Sequence, residues 1–334
     1  MTKRKISILV GLVVIVGVVF VFTYFQKGRV PKHEKDRIQF QLDWKAEIQF
    51  AGFFVAREKG FYADENIEVD ILEGIGAPTS AKLVGQGKVP LGTCSGAATV
   101  IAKAKGIPIK SLAVISQRSP VVIFSLKDSG IEKPQDLIGK RIGLNYNSIT
   151  YRHYQALINK LNINRTKIKE VGVGWDATPL LTGQVDALID YTFVNPVNLK
   201  VQGKEIIEIP LANYGINPYS TNIIVNEEFL KNNENLVKRF MKSTVKGWEY
   251  FIDHPEESIQ IFIRTYPERE LQVQKVSTPK IIELTQSKEV KKYGFGWQTK
   301  ARWEETQDLL FGLNLIDRKM DVTTIYTNDF LPLP

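Results

Sequence analysis

Apolar and polar residues alternate over RIQFQL (37–42), placing Ile38, Phe40 and Leu42 on one side, and this period of two predicts a strand. FAGFFVAREKG (50–60) changes to helical spacing and stops at Gly60, and IEVDIL (67–72) returns to alternation. A strand–helix–strand unit of this kind implies parallel pairing through a right-handed crossover. The pattern recurs with a helix near Pro78, a strand at VPLGT (89–93), a helix at AATVIAKAKG (97–106) and a strand at SLAVIS (111–116). After VVIFSL (121–126) comes a turn-rich stretch, KDSGIEKPQDLIGK (127–140), with one short helix. A second series opens at RIGL (141–144): a helix from Thr150, a strand near IKEVGVG (168–174), a short helix at TPLLTG (178–183) and a strand at VDALIDY (185–191). From TNIIVNEEFL (221–230) onward the spacing is mostly helical, through 235–252, 255–263 and 302–313.

Alternating strands and helices predict an α/β class with open parallel sheets. Two series predict two lobes, with the chain running from lobe one to lobe two and back. The expected boundaries are 37–126 and 220–334 for lobe one and 127–219 for lobe two, with a linker at 31–36.

The N-terminus has a different pattern. Residues 6–25 are twenty in a row without a charge, preceded by Lys3-Arg4-Lys5. At the helical rise that length crosses roughly 30 Å of hydrocarbon. TYFQKGRVPK (23–32) follows, with no A-x-A cleavage pattern and no cysteine to lipidate. An uncleaved transmembrane anchor within 1–30 is therefore expected, with an atypical signal peptide as the alternative. The rest of the chain would be a soluble body tethered to the outer side of the cytoplasmic membrane.

Charge and composition change this picture little. Of a net charge of +8, five positive charges (Lys3, Arg4, Lys5, Lys27, Arg29) lie in the first thirty residues, which carry no acid. No basic stripe or nucleic-acid motif remains, so nucleic acid is not an expected partner. The single cysteine, Cys94, excludes an internal disulfide framework and a multi-thiolate zinc site. His33, His153 and His254 have no ligand spacing and are expected on the surface or in turns. No metal or cofactor is predicted. Paired-carboxylate, G-x-S-x-G, phosphate-loop and dinucleotide motifs are all missing from the sequence, which argues against an enzyme.

In open α/β sheets, ligands bind beyond the carboxyl ends of the strands. The residues waiting there are Asp43 and Trp44, then Cys94, Ser95 and Gly96, then Gln117 and Arg118. In the second series they are Asn145, Tyr146, Asn147 and Ser148, then Trp175 and Asp176, then Asp190 and Tyr191 with Asn195 beyond. Gln49 and Phe50, just past Trp44, join the candidate set. Flat aromatics interleaved with uncharged hydrogen-bonding groups suit a planar, polar heterocycle. Each residue also has a structural reading. A strand-end tryptophan can seal a core, and Ser95 and Ser148 can cap helices. Phe53, Phe54, Trp248, Phe251 and Trp303 follow helical spacing and are expected in the core.

Several blocks in order resemble the substrate-binding proteins of ABC importers, in the group related to thiamine pyrimidine-precursor synthase. They are LDWKAEIQFAGFFVAREKGFY, SGAATVIAKAKGIPIKSLAVI, DLIGKRIGL, LVKRFMKSTVKGWEYFIDHPEES and the closing GLNLIDRKMDVTTIYTNDFLPLP. The resemblance covers 37–334 and implies a two-lobed periplasmic-binding-protein fold with two crossing strands. It further implies an extracytoplasmic solute receptor that delivers its ligand to an ABC permease and ATPase. It would place Trp44 as the aromatic that stacks on the ring and Tyr191 as the tyrosine of the second lobe. A glutamate expected four residues after that tyrosine is Asn195 here, so riboflavin-like rings stand beside pyrimidines as candidate ligands. Two other readings are a membrane-anchored ligand sensor with a separate signalling partner and, behind it, a pyrimidine-precursor synthase-like enzyme.

Overall fold

The computed structural model describes residues 35–332. The expected anchor and residues 31–34 of the linker lie outside that range. Among the described residues, no helix is long and apolar enough to cross a membrane.

From Arg37 onward the chain forms one compact unit built on two five-stranded sheets. The first has the order β2-β1-β3-β10-β4, with β1 at Asp36–Gln41, β2 at Ile67–Leu72, β3 at Leu91–Ser95, β4 at Ile109–Val114 and β10 at Thr221–Asn226. The second has the order β7-β6-β8-β5-β9, with β5 at Val121–Leu126, β6 at Arg141–Leu144, β7 at Lys169–Gly172, β8 at Ala187–Tyr191 and β9 at Ile206–Pro210. The helices between strands of the first sheet are α1 (Ala51–Glu58), α2 (Phe61–Asp64), α3 (Ala77–Gly85) and α4 (Gly96–Ala104). Those of the second are α5 (Ile149–Lys160), α6 (Thr178–Leu181) and α7 (Asn195–Val201). The C-terminal part holds α8 (Glu227–Asn232), α9 (Glu234–Asp253), α10 (Pro255–Thr265), α11 (Leu271–Leu284), α12 (Lys288–Tyr293) and α13 (Lys300–Gly312).

The sheets are mixed, not parallel throughout. β1 and β3 pair parallel, as do β6 with β7 and β8. β10 runs antiparallel between β3 and β4, and β5 runs antiparallel to both β8 and β9. Each odd strand reaches its sheet through a crossing from the other one, and so arrives in the opposite direction. Two expectations change. TNIIV opens no helical tail but is a central strand, and the burial of Asn222, Ile223, Ile224 and Val225 explains why it lacks alternation. The first crossing falls before β5 rather than after Leu126, since VVIFSL already bonds to the second sheet. The edge strand β9 escaped the sequence reading.

The two crossing segments run side by side. Ile115 N donates to Thr221 O at 2.8 Å, Ser220 N to Ser116 O at 3.3 Å and Ser119 N to Asn217 Oδ1 at 2.8 Å. Beneath the first sheet, α1 and α9 cross closely. A Cβ on Gly247 would lie 2.3 Å from Gly52 O, and one on Gly52 would lie 2.4 Å from the Trp248 ring, so glycine permits the approach. Phe53, Phe54, Trp248 and Phe251 fill that core, and Trp303 fills a neighbouring one with Val100 and Tyr219. His153 departs from the surface role expected of it. It is buried on α5 with both ring nitrogens unpartnered, and burial pushes its pKa down to about 4, which keeps it neutral.

Candidate ligand-binding site

The chain leaves β1 through a pinned turn. Leu42 N donates to Leu72 O at 2.8 Å, Gly74 N to Trp44 O at 2.9 Å and Ala46 N to Glu73 Oε1 at 3.1 Å. Gly74 is required here, because a Cβ would sit 2.0 Å from Leu42 O. The turn presents Asp43 inward and leaves the Trp44 side chain 43% exposed, too open for a core seal. Asp43 and Thr93 hold each other: Asp43 N donates to Thr93 Oγ1 at 2.8 Å, and Thr93 Oγ1 donates to Asp43 Oδ1 at 2.7 Å. Burial raises the Asp43 pKa more than these bonds lower it.

The second sheet supplies the facing half. Asn145, Thr150, Trp175, Asp176, Asp190 and Asn195 line one small hollow. Asp190 at the end of β8 is fixed by three N–H groups. Oδ1 accepts from Tyr191 N at 2.7 Å, and Oδ2 accepts from Asn195 Nδ2 at 2.7 Å and Asn195 N at 3.3 Å. Asn195 Nδ2 also donates to Trp175 O at 2.8 Å. Both partners of that amide are acceptors, so its NH₂ is committed and its carbonyl oxygen faces away from them as a further acceptor. Burial pushes the Asp190 pKa up to about 6 despite its three donors.

The halves meet. Burial first, then the charges of Asp43 from lobe one and Asp190 beside it, hold the Tyr191 phenol well above its ordinary pKa. Tyr191 therefore stands near carboxylates of both lobes. Phe193, two residues on, packs against the core of lobe one, and its carbonyl accepts from Ser277 Oγ at 3.2 Å. Behind it, Lys280 on α11 donates to Thr192 Oγ1 at 2.7 Å and Glu208 Oε1 at 2.8 Å, while Lys200 reaches the same Oε1 at 2.6 Å.

The expected residues separate into those at the opening and those in the frame. Asn145, Trp175, Asp190 and Asn195 line the hollow, whereas Trp44 is exposed at the end of β1 and Tyr191 packs against the core of lobe two. Trp175 is 65% exposed, and Tyr146 is 42% exposed with its ring edge-on to Tyr151 at 5.1 Å. Gln49 is half-buried in the turn before α1. Phe50 is a correction: it is 1% exposed and belongs to the core of lobe one, its ring drawn inward by the helical period it begins. Ser95 caps α4 by accepting from Ala98 N at 3.2 Å, and Ser148 caps α5 by accepting from Tyr151 N at 3.1 Å. Gly96 is taken up by the returning chain, since its Cβ would lie 2.5 Å from Tyr219 O. Asp43 is among the strand-end residues of the sequence but outside the candidate set, Thr150 reads there as a helix start beside Ser148, and Thr93 is not singled out. A threonine closing an apolar strand beside an acid-bearing turn was the available signal for Thr93.

The family model "NMT1/THI5 like" matches residues 47–258. The chain belongs to the NMT1/THI5-like family. It is 25% identical over 314 residues to "Riboflavin-binding protein RibY" of Chloroflexus aurantiacus, covering 89% of this chain and 86% of that one. It is 30% identical to the "4-amino-5-hydroxymethyl-2-methylpyrimidine phosphate synthase" of Legionella pneumophila, covering 89% and 93%. It is 24% identical to the "Formylaminopyrimidine-binding protein" of Halalkalibacterium halodurans, covering 81% and 83%. The periplasmic aliphatic sulphonate binding protein SsuA of Escherichia coli superposes with a TM-score of 0.69 at 14% identity, over 87% of this chain and 97% of that one. The NMT1/THI5-like chain thus has the two-lobed α/β periplasmic-binding-protein fold, with two mixed sheets.

Proposed function

We propose that this chain is an extracytoplasmic solute-binding protein of an ABC importer, tethered by its N-terminal segment. In this reading its lobes close on a small planar nitrogen heterocycle such as a thiamine pyrimidine precursor. The observation that carries the reading is that Trp44 stands open at one sheet while Asp190, Tyr191 and Asn195 stand at the other, where Phe193, two residues past Tyr191, packs against the core of lobe one. An indole face supplies stacking, and fixed acceptors read the N–H edge of a ring. Relatives named for binding formylaminopyrimidine and riboflavin support both ring classes. Delivery to a permease and ATPase is read from the fold shared with a ligand-binding component of an ABC-type import system.

The similarity to the Legionella synthase supports a second reading, as an enzyme making the pyrimidine. The lone thiol gives that reading no help. Cys94 is buried, and burial, with Asp43 beside it, pushes its pKa up to about 12.

The test is a titration of the full-length chain in mild detergent with 4-amino-5-hydroxymethyl-2-methylpyrimidine and riboflavin, following tryptophan fluorescence. Saturable quenching is expected, with at least about tenfold weaker binding for Trp44→Ala, the scale of one lost aromatic contact plus its buried area. Unchanged binding by Trp44→Ala sinks the stacking role. Mass spectrometry of the chain from membranes should still find residues 1–26 attached.

A further inference from the structure

Part of the second lobe's ligand side is held from lobe one. Helix α11 enters the core of lobe one through Ile281, and its last carbonyl, Leu284 O, accepts from Gln117 N at 2.8 Å and Arg118 N at 3.3 Å in the first crossing segment. Its other side meets the turn 191–195, which leaves β8 and leads into α7. Lys280 Nζ donates to Thr192 Oγ1 at 2.7 Å and to the two Glu208 oxygens at 2.8 and 3.1 Å, and Ser277 Oγ donates to Phe193 O at 3.2 Å. Thr192 Oγ1 in turn donates to Glu208 Oε2. The Glu208 side chain is only 13% exposed, so water screens its pairing with Lys280 far less than that of a surface pair.

From its own lobe the turn takes backbone bonds, Thr192 N to Pro120 O at 2.9 Å and Val194 N to Tyr191 O at 3.0 Å. Its far end is Asn195, whose amide bonds Trp175 O at 2.8 Å and Asp190 Oδ2 at 2.7 Å. Asp190, Asn195 and Trp175 all line the hollow. Five residues thus connect a helix of lobe one to three walls of a site in lobe two.

We propose that Lys280, with Ser277, is a positioning residue for ligand binding: from lobe one it fixes the turn 191–195 and, through Asn195, the placing of Trp175 and Asp190. The proposal rests on the heterocycle reading above and adds to it the part that lobe one plays in shaping the second lobe's hollow. Neither side chain has to touch the ligand. Without the bonds to α11 the turn keeps its backbone pattern but spends part of its time in other arrangements. A ligand that needs one arrangement then binds more weakly, in proportion to the fraction of molecules that still present it. A hydrogen bond to a charged group shifts such a balance by roughly tenfold or more.

The test uses the full-length chain in mild detergent, labelled with 5-fluorotryptophan, so that each of the five tryptophans gives one fluorine signal. The Trp175 signal is identified by its loss in Trp175→Phe. In Lys280→Met, where Lys200 still pairs with Glu208, and in Ser277→Ala, that signal should move while those of the buried Trp248 and Trp303 stay in place. Riboflavin and 4-amino-5-hydroxymethyl-2-methylpyrimidine are then titrated into each chain. Whichever probe binds the native chain should bind Lys280→Met about tenfold more weakly, and Lys280→Arg should recover most of the loss. A Trp175 signal unmoved in both variants overturns the proposal, as does a common shift of all five signals, which marks general loosening. Equal probe binding by the native chain and both variants also overturns it and leaves the heterocycle reading standing. If neither probe binds the native chain, the heterocycle reading falls, and the Trp175 signal alone decides whether α11 holds the turn.

Discussion

The Asp190 carboxyl makes the empty protein less stable as pH rises, and the size of the effect follows from its surroundings. Its pKa moves from 3.8 to about 6, with burial as the leading cause. Between those values the folded chain keeps a proton that the unfolded chain has already released. Stability therefore falls as pH climbs through this window, and the penalty is complete above about 6. At 1.36 kcal/mol for each pKa unit the full effect is about 3 kcal/mol, and water at the open side of the cleft reduces it to about 2–3 kcal/mol. Other carboxylates act in the opposite sense. Asp186 beside Arg141 and Glu170 beside Arg165 have lowered pKa values and stabilise the fold above their unfolded pKa. The informative quantity is thus the difference between the native chain and Asp190→Asn, in which these terms and the raised Asp43 cancel. Urea unfolding followed by circular dichroism at pH 4, 5, 6 and 7 supplies it. The native chain should lose about 2–3 kcal/mol relative to the variant between pH 4 and 7. Parallel curves, or a variant that loses more, would refute the assignment of Asp190 as a buried carboxyl without a counter-charge.

Three further outcomes are expected. Gly74→Ala forces its new Cβ against Leu42 O and weakens the bond from Gly74 N to Trp44 O; it should cost about 1–3 kcal/mol in thermal unfolding and weaken ligand binding more than its distance from the hollow would suggest. Glu208→Gln removes the anion shared by Lys280 and Lys200 and should cost about 1–3 kcal/mol. Burial raises the Glu208 pKa, but bonds from Lys200, Lys280 and Thr192 lower it further, so this contribution is present at neutral pH and lost on acidification, and the variant should be less acid-sensitive than the native chain. Cys94 is buried with its thiol pKa near 12, so a disulfide reagent at pH 8 should fail to label the folded chain and label it promptly in urea; rapid native labelling would contradict the burial.

The parts of the fold legible in the sequence were those where one rule acts alone. RIQFQL and IEVDIL alternate because one face of each edge-side strand meets water, and both form strands. TNIIV was misread because a strand buried on both faces in mid-sheet has no polar beat. The second lobe repeats the order of the first, with β7-β6-β8-β5-β9 matching β2-β1-β3-β10-β4 position by position. No sequence repeat shows it, since pairing constrains backbone direction and burial rather than residue identity. Strand-end position pointed to Asp190 and Asn195, which line the hollow, and to Trp44, which is exposed. The same rule overreached at Phe50, where helical periodicity wins, and at Ser95 and Ser148, where capping does. Asp43 is tied by two hydrogen bonds to Thr93, fifty residues away in sequence, a pairing that strand-end position alone does not predict.

The exchange of β5 and β10 between sheets has a consequence for the growing polypeptide. Ser95 pairs with Thr221 and Leu91 with Val225, so the first sheet lacks the strand that joins β3 to β4 until the whole second lobe has left the ribosome. Closing such distant pairs is slow. The first sheet is therefore finished last, after a second sheet whose five strands all lie within residues 121–210.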